Sequence, residues 1–265
     1  MNIIEVKNLT KKFGDITAVN DISFSIAKGE IFGFLGPNGA GKYTTIKILT
    51  TLLTPTAGTI NLNGYDVSKH PNEVRHSFGI VFQDPSLDDD LTAYENMEFH
   101  GVLYGVEKKL RKERIEKLMN FVELWDRKDS LVKTFSGGMK RRLEIARGLL
   151  HHPKVIFLDE PTLGLDPQTR NHMWEYLKEL NKTEGTTIFF TTHYMEEADK
   201  VAQRIAIIDH GKIIAMGSSA ELKEKAHVTS LEEAFLSLTG KEIRDEEASG
   251  ADAMRMRRRV WSSRR

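Results

Sequence analysis

Residues Gly36-Pro37-Asn38-Gly39-Ala40-Gly41-Lys42 form a glycine-rich loop that ends in a lysine. An apolar run, Ile31 to Leu35, precedes it, and a helical pattern through Ile46 and Leu49 follows. That order of strand, loop and helix is what a phosphate-binding loop needs. Glycines let backbone N–H groups turn inward around phosphate oxygens, the following helix presents its positive end, and Lys42 reaches the terminal phosphates as a mobile point charge. A turn that merely joins strand to helix is the blander alternative, and the motifs further along the chain weigh against it.

A loop of this type is expected to continue with Ser or Thr, whose short hydroxyl holds Mg²⁺. Here the residue is Tyr43. A phenol oxygen sits a full ring beyond Cβ, and Mg²⁺ demands near-octahedral oxygens at about 2.0 to 2.1 Å, so tyrosine is no simple replacement. Thr44 is next, about 100° further round the helix. Three readings stand: an engineered or accidental substitution, a divergent chain with weak hydrolysis, or a site where water fills the metal position.

Val155-Ile156-Phe157-Leu158 leads into Asp159-Glu160, two carboxylates at the carboxyl end of a buried strand, where open α/β sheets bind their ligands. Asp159 is expected to serve Mg²⁺, and Glu160 to act as general base, orienting the attacking water in line with the γ-phosphate. The competing reading makes the two carboxylates a helix cap. His193 follows the apolar run Ile188 to Phe190 and is placed to contact the γ-phosphate and hold the geometry of water and glutamate. Gln83 ends the run Ile80 to Phe82, where it can touch Mg²⁺ or water and sense movement of the segment that follows. His151 and His152 are adjacent, so their rings point apart, and no metal site is assigned to them.

Those residues must be positioned by a sheet. Ile22, Phe24 and Ile26, and again Ile60 and Leu62, alternate with polar neighbours in the period of half-buried antiparallel strands. The compact runs Ile31–Leu35, Ile80–Phe82, Val155–Leu158 and Ile188–Phe190 suit parallel strands covered on both faces. Between them, at about 86–150, the texture turns helical: Leu118, Phe121, Val122 and Trp125 fall at helical spacing, and Thr92 with Glu95 makes a capping box. Asp209-His210-Gly211-Lys212 reads as a hairpin turn that closes the core near residue 217. Beyond it come a short amphipathic helix, Leu231 to Leu238, and a polar, arginine-rich tail over 239–265, expected to be mobile. The basic end includes Arg255, Arg257 and Trp261 and could touch anionic lipid, although a solvated tail is the simpler reading.

The chain's 265 residues, 40% of them hydrophobic, suffice for one large core with a smaller satellite. Lys plus Arg equals Asp plus Glu at 38 each, which gives no case for a nucleic-acid-coating protein. The absence of cysteine rules out disulfides, thiolate zinc and thiol catalysis, and fits a reducing compartment, by default the cytoplasm. No signal-peptide pattern opens the sequence, and its apolar runs fall far short of the roughly 20 residues that cross a bilayer. No internal repeat is present, so two tandem copies of the nucleotide-binding unit are not expected within the chain.

Phe135-Ser136-Gly137-Gly138-Met139, shortly before Asp159 and Glu160, resembles the signature loop of ABC ATPases. Ser136 and the two glycines open a helix with apolar Leu143, Ala146 and Leu149, so its amino end is a second anion receptor. The resemblance covers about residues 2–238. It implies a P-loop α/β core with an antiparallel β subdomain and an inserted α-helical subdomain, binding ATP and Mg²⁺. By resemblance Phe13 stacks on adenine, Asp166 lies in the loop Leu163-Gly164-Leu165-Asp166, and the signature loop reads the γ-phosphate held by a second copy, most simply in a homodimer. Met139, with Lys140-Arg141-Arg142-Leu143-Glu144, and the segments Gln83 to Asp88 and Leu231 to Leu236, look like the branch of drug and antibiotic exporters related to daunorubicin resistance. Such a subunit is a peripheral protein on the inner face of the cell membrane and drives a separate permease that docks near Gln83. A hydrolysis-impaired ATP-binding regulator, suggested by Tyr43, and a soluble ABC ATPase of translation or DNA repair are the alternatives.

Overall fold

The computed structural model describes residues 1–84 and 86–240. The expectations for the arginine-rich tail beyond Gly240, and for Pro85, lie outside the described residues.

Alternating apolar residues give the first layer. Strands β1 (Asn2–Phe13) and β2 (Ile16–Ala27) form an antiparallel hairpin that buries Ile22, Phe24 and Ile26 on one face. After β3 (Ile31–Leu35) and helix α1 (Lys42–Leu49), the chain returns as β4 (Ala57–Leu62) on the free edge of β1, and β5 (Tyr65–Asp66) completes the order β2-β1-β4-β5. Helix α2 (Pro71–Ser77) then feeds β6 (Phe78–Val81).

The continuous apolar runs give the second layer. Strands β7 (Val155–Asp159), β8 (Thr187–Thr192), β9 (Arg204–Asp209) and β10 (Lys212–Gly217) join β3 and β6 in the order β10-β9-β3-β8-β7-β6. Every pairing in this sheet is parallel except that of β10 with β9. All residues of β3, β7 and β8 are buried, the condition of strands covered on both sides. Between the two sheets α1 contributes Ile46, Ile48 and Leu49 to a core that also holds Phe24, Phe32 and Phe189. The Phe32 ring lies 5.8 Å from Phe24 and 5.9 Å from Phe189, centroid to centroid, in offset stacks.

The helical segment is built from α3 (Ala93–Leu103), α4 (Lys108–Phe121) and α5 (Gly137–Leu149). Thr92 caps α3 as expected: its hydroxyl accepts from Glu95 N at 3.1 Å, and Glu95 returns a carboxylate to Thr92 N at 2.8 Å. Helix α5 belongs to two cores. Leu143, Ala146 and Leu150 pack with α3 and α4, while Ile145 and Leu149 pack on the outer face of the parallel sheet. That outer face is completed by α6 (Pro167–Glu184), α7 (Met195–Val201), α8 (Ser219–Ala226) and α9 (Leu231–Thr239).

Three expectations need correction. The core does not close near 217: Leu222 of α8 and Leu231 and Ala234 of α9 are buried, and Ser218 with Glu221 makes a capping box that announces α8. Strand β6 ends at Val81, so Gln83 stands on a loop two residues past the sheet. Trp125 lies in a short 3-10 turn, Trp125–Arg127, separated from α4 by Val122 to Leu124.

Candidate functional site: the carboxyl edge of the parallel sheet

The glycine loop leaves β3 and enters α1 at the carboxyl edge of the sheet. Gly41 stands at the helix cap with φ +108°, and a Cβ there would come within 2.6 Å of the Ala18 carbonyl oxygen, so both backbone conformation and space demand glycine. Inside the turn, the Lys42 ammonium donates to the carbonyls of Gly36 at 2.6 Å and Pro37 at 3.2 Å. Lys42 is 7% exposed. Burial pulls its pKa down, and the carboxylates of Glu160 and Asp159 oppose that fall. A cation held in a loop of backbone amides at a helix amino terminus is a receptor for polyphosphate.

Asp159 is the last residue of β7 and is buried. Thr191, across the pairing on β8, donates its hydroxyl to Asp159 Oδ1 at 2.6 Å. Burial raises the Asp159 carboxyl above its ordinary range, and this hydrogen bond partly offsets the rise. Glu160 follows with φ +45°, a left-handed conformation rare for a side chain of its size. Its N–H donates to Thr191 Oγ1 at 3.0 Å. That backbone turn carries the carboxylate back over the sheet, where Oε1 lies 3.6 Å from the Lys42 ammonium and 3.3 Å from His193 Nδ1. Burial works against the charge on Glu160, yet His193 and Lys42 outweigh it and leave its carboxyl below the usual carboxylate range. Neither carboxylate caps a helix; α6 begins later, capped by Asp166, which accepts from Thr169 N at 3.0 Å.

The structure therefore brings Lys42, Asp159, Glu160 and His193 together as the sequence suggested. Ser136 opens α5 and accepts from Met139 N at 3.3 Å, with Ser136 and Gly137 exposed. Gln83 is exposed on its loop, and Phe13, half exposed at the tip of the β1–β2 hairpin, has the Lys11 ammonium 5.0 Å above its ring. Thr191, Arg141 and Glu144 were not singled out as site residues. Thr191 sits in an ordinary β-branched strand run. The other two form a charged pair on the otherwise apolar face of α5, a signal that was present in the sequence.

Tyr43 is 47% exposed and lies along α1 with the Lys47 ammonium 4.1 Å from its ring. Asp159, buried at the end of β7, and Gln83, exposed on its loop, carry side-chain oxygens of the hard type that Mg²⁺ takes. Among the described residues no group of three or more His, Cys, Asp or Glu is arranged to hold a metal, so most ligands of a bound Mg²⁺ would come from phosphate and water, as is usual for this ion. His151 serves packing: its ring stacks on Tyr104 at 3.9 Å, Nε2 lies 2.9 Å from the Phe78 carbonyl, and burial lowers its pKa to about 4.

A phosphate loop beside a buried strand-end carboxylate pair, with an anion-receptive helix on an inserted lobe, defines an ATP-binding cassette. The comparisons agree. The ABC transporter family model matches residues 19–163, and the chain belongs to that family of ATP-hydrolysing proteins. The linearmycin resistance ATP-binding protein LnrL of Bacillus subtilis (strain 168) is 42% identical over 242 residues, covering 88% of this chain and 78% of that protein. The daunorubicin/doxorubicin resistance ATP-binding protein DrrA of Streptomyces peucetius is 44% identical over 220 residues, covering 83% of this chain and 66% of that protein. Among solved structures, an ATP-binding subunit of an ABC transporter superposes with a TM-score of 0.82 at 30% identity, over 90% of this chain and all of the other. A dimeric cassette in a post-hydrolysis state with ADP and Pi gives 0.73 at 29% identity, over 81% of this chain and 98% of the other. Nothing in these likenesses supports reduced hydrolysis, the regulator or the non-transport reading.

Proposed function

We propose that this chain powers export of a hydrophobic, drug-like compound through a separate membrane permease, working as a pair of identical subunits on the inner face of the cell membrane. The observation that carries the reading is the convergence of Lys42, Glu160 and His193, with Glu160 Oε1 within 3.6 Å of both partners' nitrogen atoms. In this arrangement the loop amides and Lys42 hold the β- and γ-phosphates, Glu160 in its charged form orients the attacking water, and His193 holds the carboxylate and faces the γ-phosphate. Asp159 and Gln83 are the residues to hold Mg²⁺, which when bound neutralises charge between the phosphates. Phe13 offers its ring to adenine. Ser136, Gly137 and Gly138 present a helix amino terminus to the γ-phosphate of the partner subunit, and Asp166 lies on the same meeting face.

The family places the chain among transport ATPases, and the names of its relatives, linearmycin and daunorubicin/doxorubicin resistance, point to the class of cargo. No described helix is long and apolar enough to cross a membrane, so the path for cargo is assigned to a partner. The domain then runs over residues 1–238, with the helical lobe at about 86–150. The test is removal of the chain from its host, complemented by the wild-type chain or by Glu160→Gln. Increased sensitivity to daunorubicin or linearmycin that only the wild-type chain reverses is the expected result. Unchanged sensitivity to such compounds, with ATP hydrolysis intact, would overturn export of this class.

A further inference from the structure

We propose that Arg141 is a positioning residue for hydrolysis, fixing the backbone of Glu160 and fastening it to the loop that carries Gln83. The proposal rests on Glu160 acting as the base. Arg141 lies on α5, is 7% exposed, and spends its guanidinium on main-chain carbonyls. Nε donates to Pro161 O at 2.8 Å, and Nη2 to Asp159 O at 2.9 Å and Glu160 O at 3.2 Å. Nη1 donates to Phe82 O and lies 3.3 Å from Glu144 Oε2. One planar fork thus binds the turn bearing the base and the root of the Gln83 loop.

Glu160 needs such a clamp. A left-handed conformation is unfavourable for a non-glycine residue, so the surroundings must impose it. Thr191 holds the Glu160 N–H and Arg141 holds its carbonyl. Rotation of either peptide would swing the carboxylate away from Lys42 and His193. The far side of the hub is equally specific. Glu144, 1% exposed, accepts from Ser86 N at 2.6 Å and Ser86 Oγ at 3.2 Å, while Arg147 donates to Ser86 O at 2.8 Å. Phe82 and Ser86 bracket Gln83, so both ends of that loop are fastened to α5, the helix capped by Ser136. A shift of α5 is carried to Gln83 and to the base together.

A buried ion pair is a poor source of stability, because desolvation cancels much of its attraction, and replacing both partners with apolar groups of similar volume is often neutral. The decisive variant is Arg141→Met with Glu144→Met, which removes the clamp together with its ion-pair partner, at the cost of the Glu144 contacts to Ser86 and of the carboxylate beside Arg147. Arg141→Lys is the milder form, since an ammonium cannot span the same set of carbonyls. The assay is Mg²⁺-dependent ATP hydrolysis by the full chain at fixed concentration, alongside nucleotide binding and thermal unfolding, with Glu160→Gln as the blank.

The double variant is expected to fold with a lowered melting temperature, because the carbonyls of Phe82, Asp159, Glu160 and Pro161 lose their donor, to keep its nucleotide affinity, and to lose kcat by about 100-fold with KM within about threefold of the original, since misplacing a catalytic group by about 1 Å has that effect. Arg141→Lys is expected to recover part of the loss. A folded double variant with unchanged kcat overturns the proposal, as does a loss of kcat that merely tracks loss of nucleotide binding. Should the double variant not fold, Arg141→Lys decides: unchanged kcat overturns the proposal, and lowered kcat with unchanged KM supports it. Turnover by Glu160→Gln equal to wild type would remove the base assignment, and this inference with it. A dead Glu160→Gln beside a fully active double variant would remove only the role of Arg141.

Discussion

Glu160 is charged against the pull of its burial because His193 and Lys42 stand beside it. A base must be ionised to accept a proton, so these neighbours set how far acid can fall before turnover stops. His193→Ala removes one of them, and the carboxyl pKa then rises. Because the wild-type Glu160 carboxyl is held below the ordinary carboxylate range, any acid limb it sets in the rate profile is expected to move to higher pH in this variant, as read from kcat between about pH 3 and pH 6, on both sides of ordinary carboxylate titration at about 4.3. An unmoved limb would show that His193 does not support the charge. Tyr43 raises a separate question, since its ring lies under Lys47 along the outside of α1. Tyr43→Ser supplies a hydroxyl of the right reach for Mg²⁺. The Mg²⁺ concentration giving half-maximal hydrolysis is expected to fall by about tenfold, in line with the gain of one metal-site interaction, while the rate at saturating Mg²⁺ stays close to that of the wild-type chain. An identical Mg²⁺ requirement in both chains would show that phosphate and water already complete the shell.

Elements whose signals are local were legible in the sequence, and those whose reasons are tertiary were not. The runs at Ile31 and Val155 read as buried strands because neighbours on both faces exclude polar residues, and Thr92 with Glu95 announced α3 by the chemistry of its own first turn. Thr92→Ala is accordingly expected to destabilise the chain by about 1 kcal/mol, measured by urea unfolding; no change would mean that packing of α3 against α5 makes its cap redundant. Helix α8 carried the same type of signal at Ser218 and Glu221 but is only eight residues long, with one buried residue, Leu222, too few to show a periodicity. The site divides in the same way. Lys42, Glu160 and His193 follow strands and Asp159 ends one, so their convergence at one edge of the sheet was legible from strand order. Arg141 acts on carbonyl oxygens, which every residue possesses, so the sequence of its partners Phe82, Asp159, Glu160 and Pro161 held no hint of the contact.

Across the whole molecule, the helical lobe and the sheet core are not independent bodies, because α5 buries Leu143 and Ala146 in one and Ile145 and Leu149 in the other. Shared burial of this kind couples their unfolding. Trp125 reports on the lobe and Trp174 on the core. Variants keeping one of these as the sole tryptophan are expected to give coincident denaturation midpoints by fluorescence; two separated transitions would show that the lobe melts by itself. The same helix sets a rule for anyone building chimaeras from related exporters. A donor lobe exchanged up to Leu150 would bring a foreign α5, and with it a mismatched seam against β6 and β7. A crossover placed before Ser136 leaves α5 with its native sheet, and asks only that the incoming helices fit the surface formed by Leu143, Ala146 and Leu150.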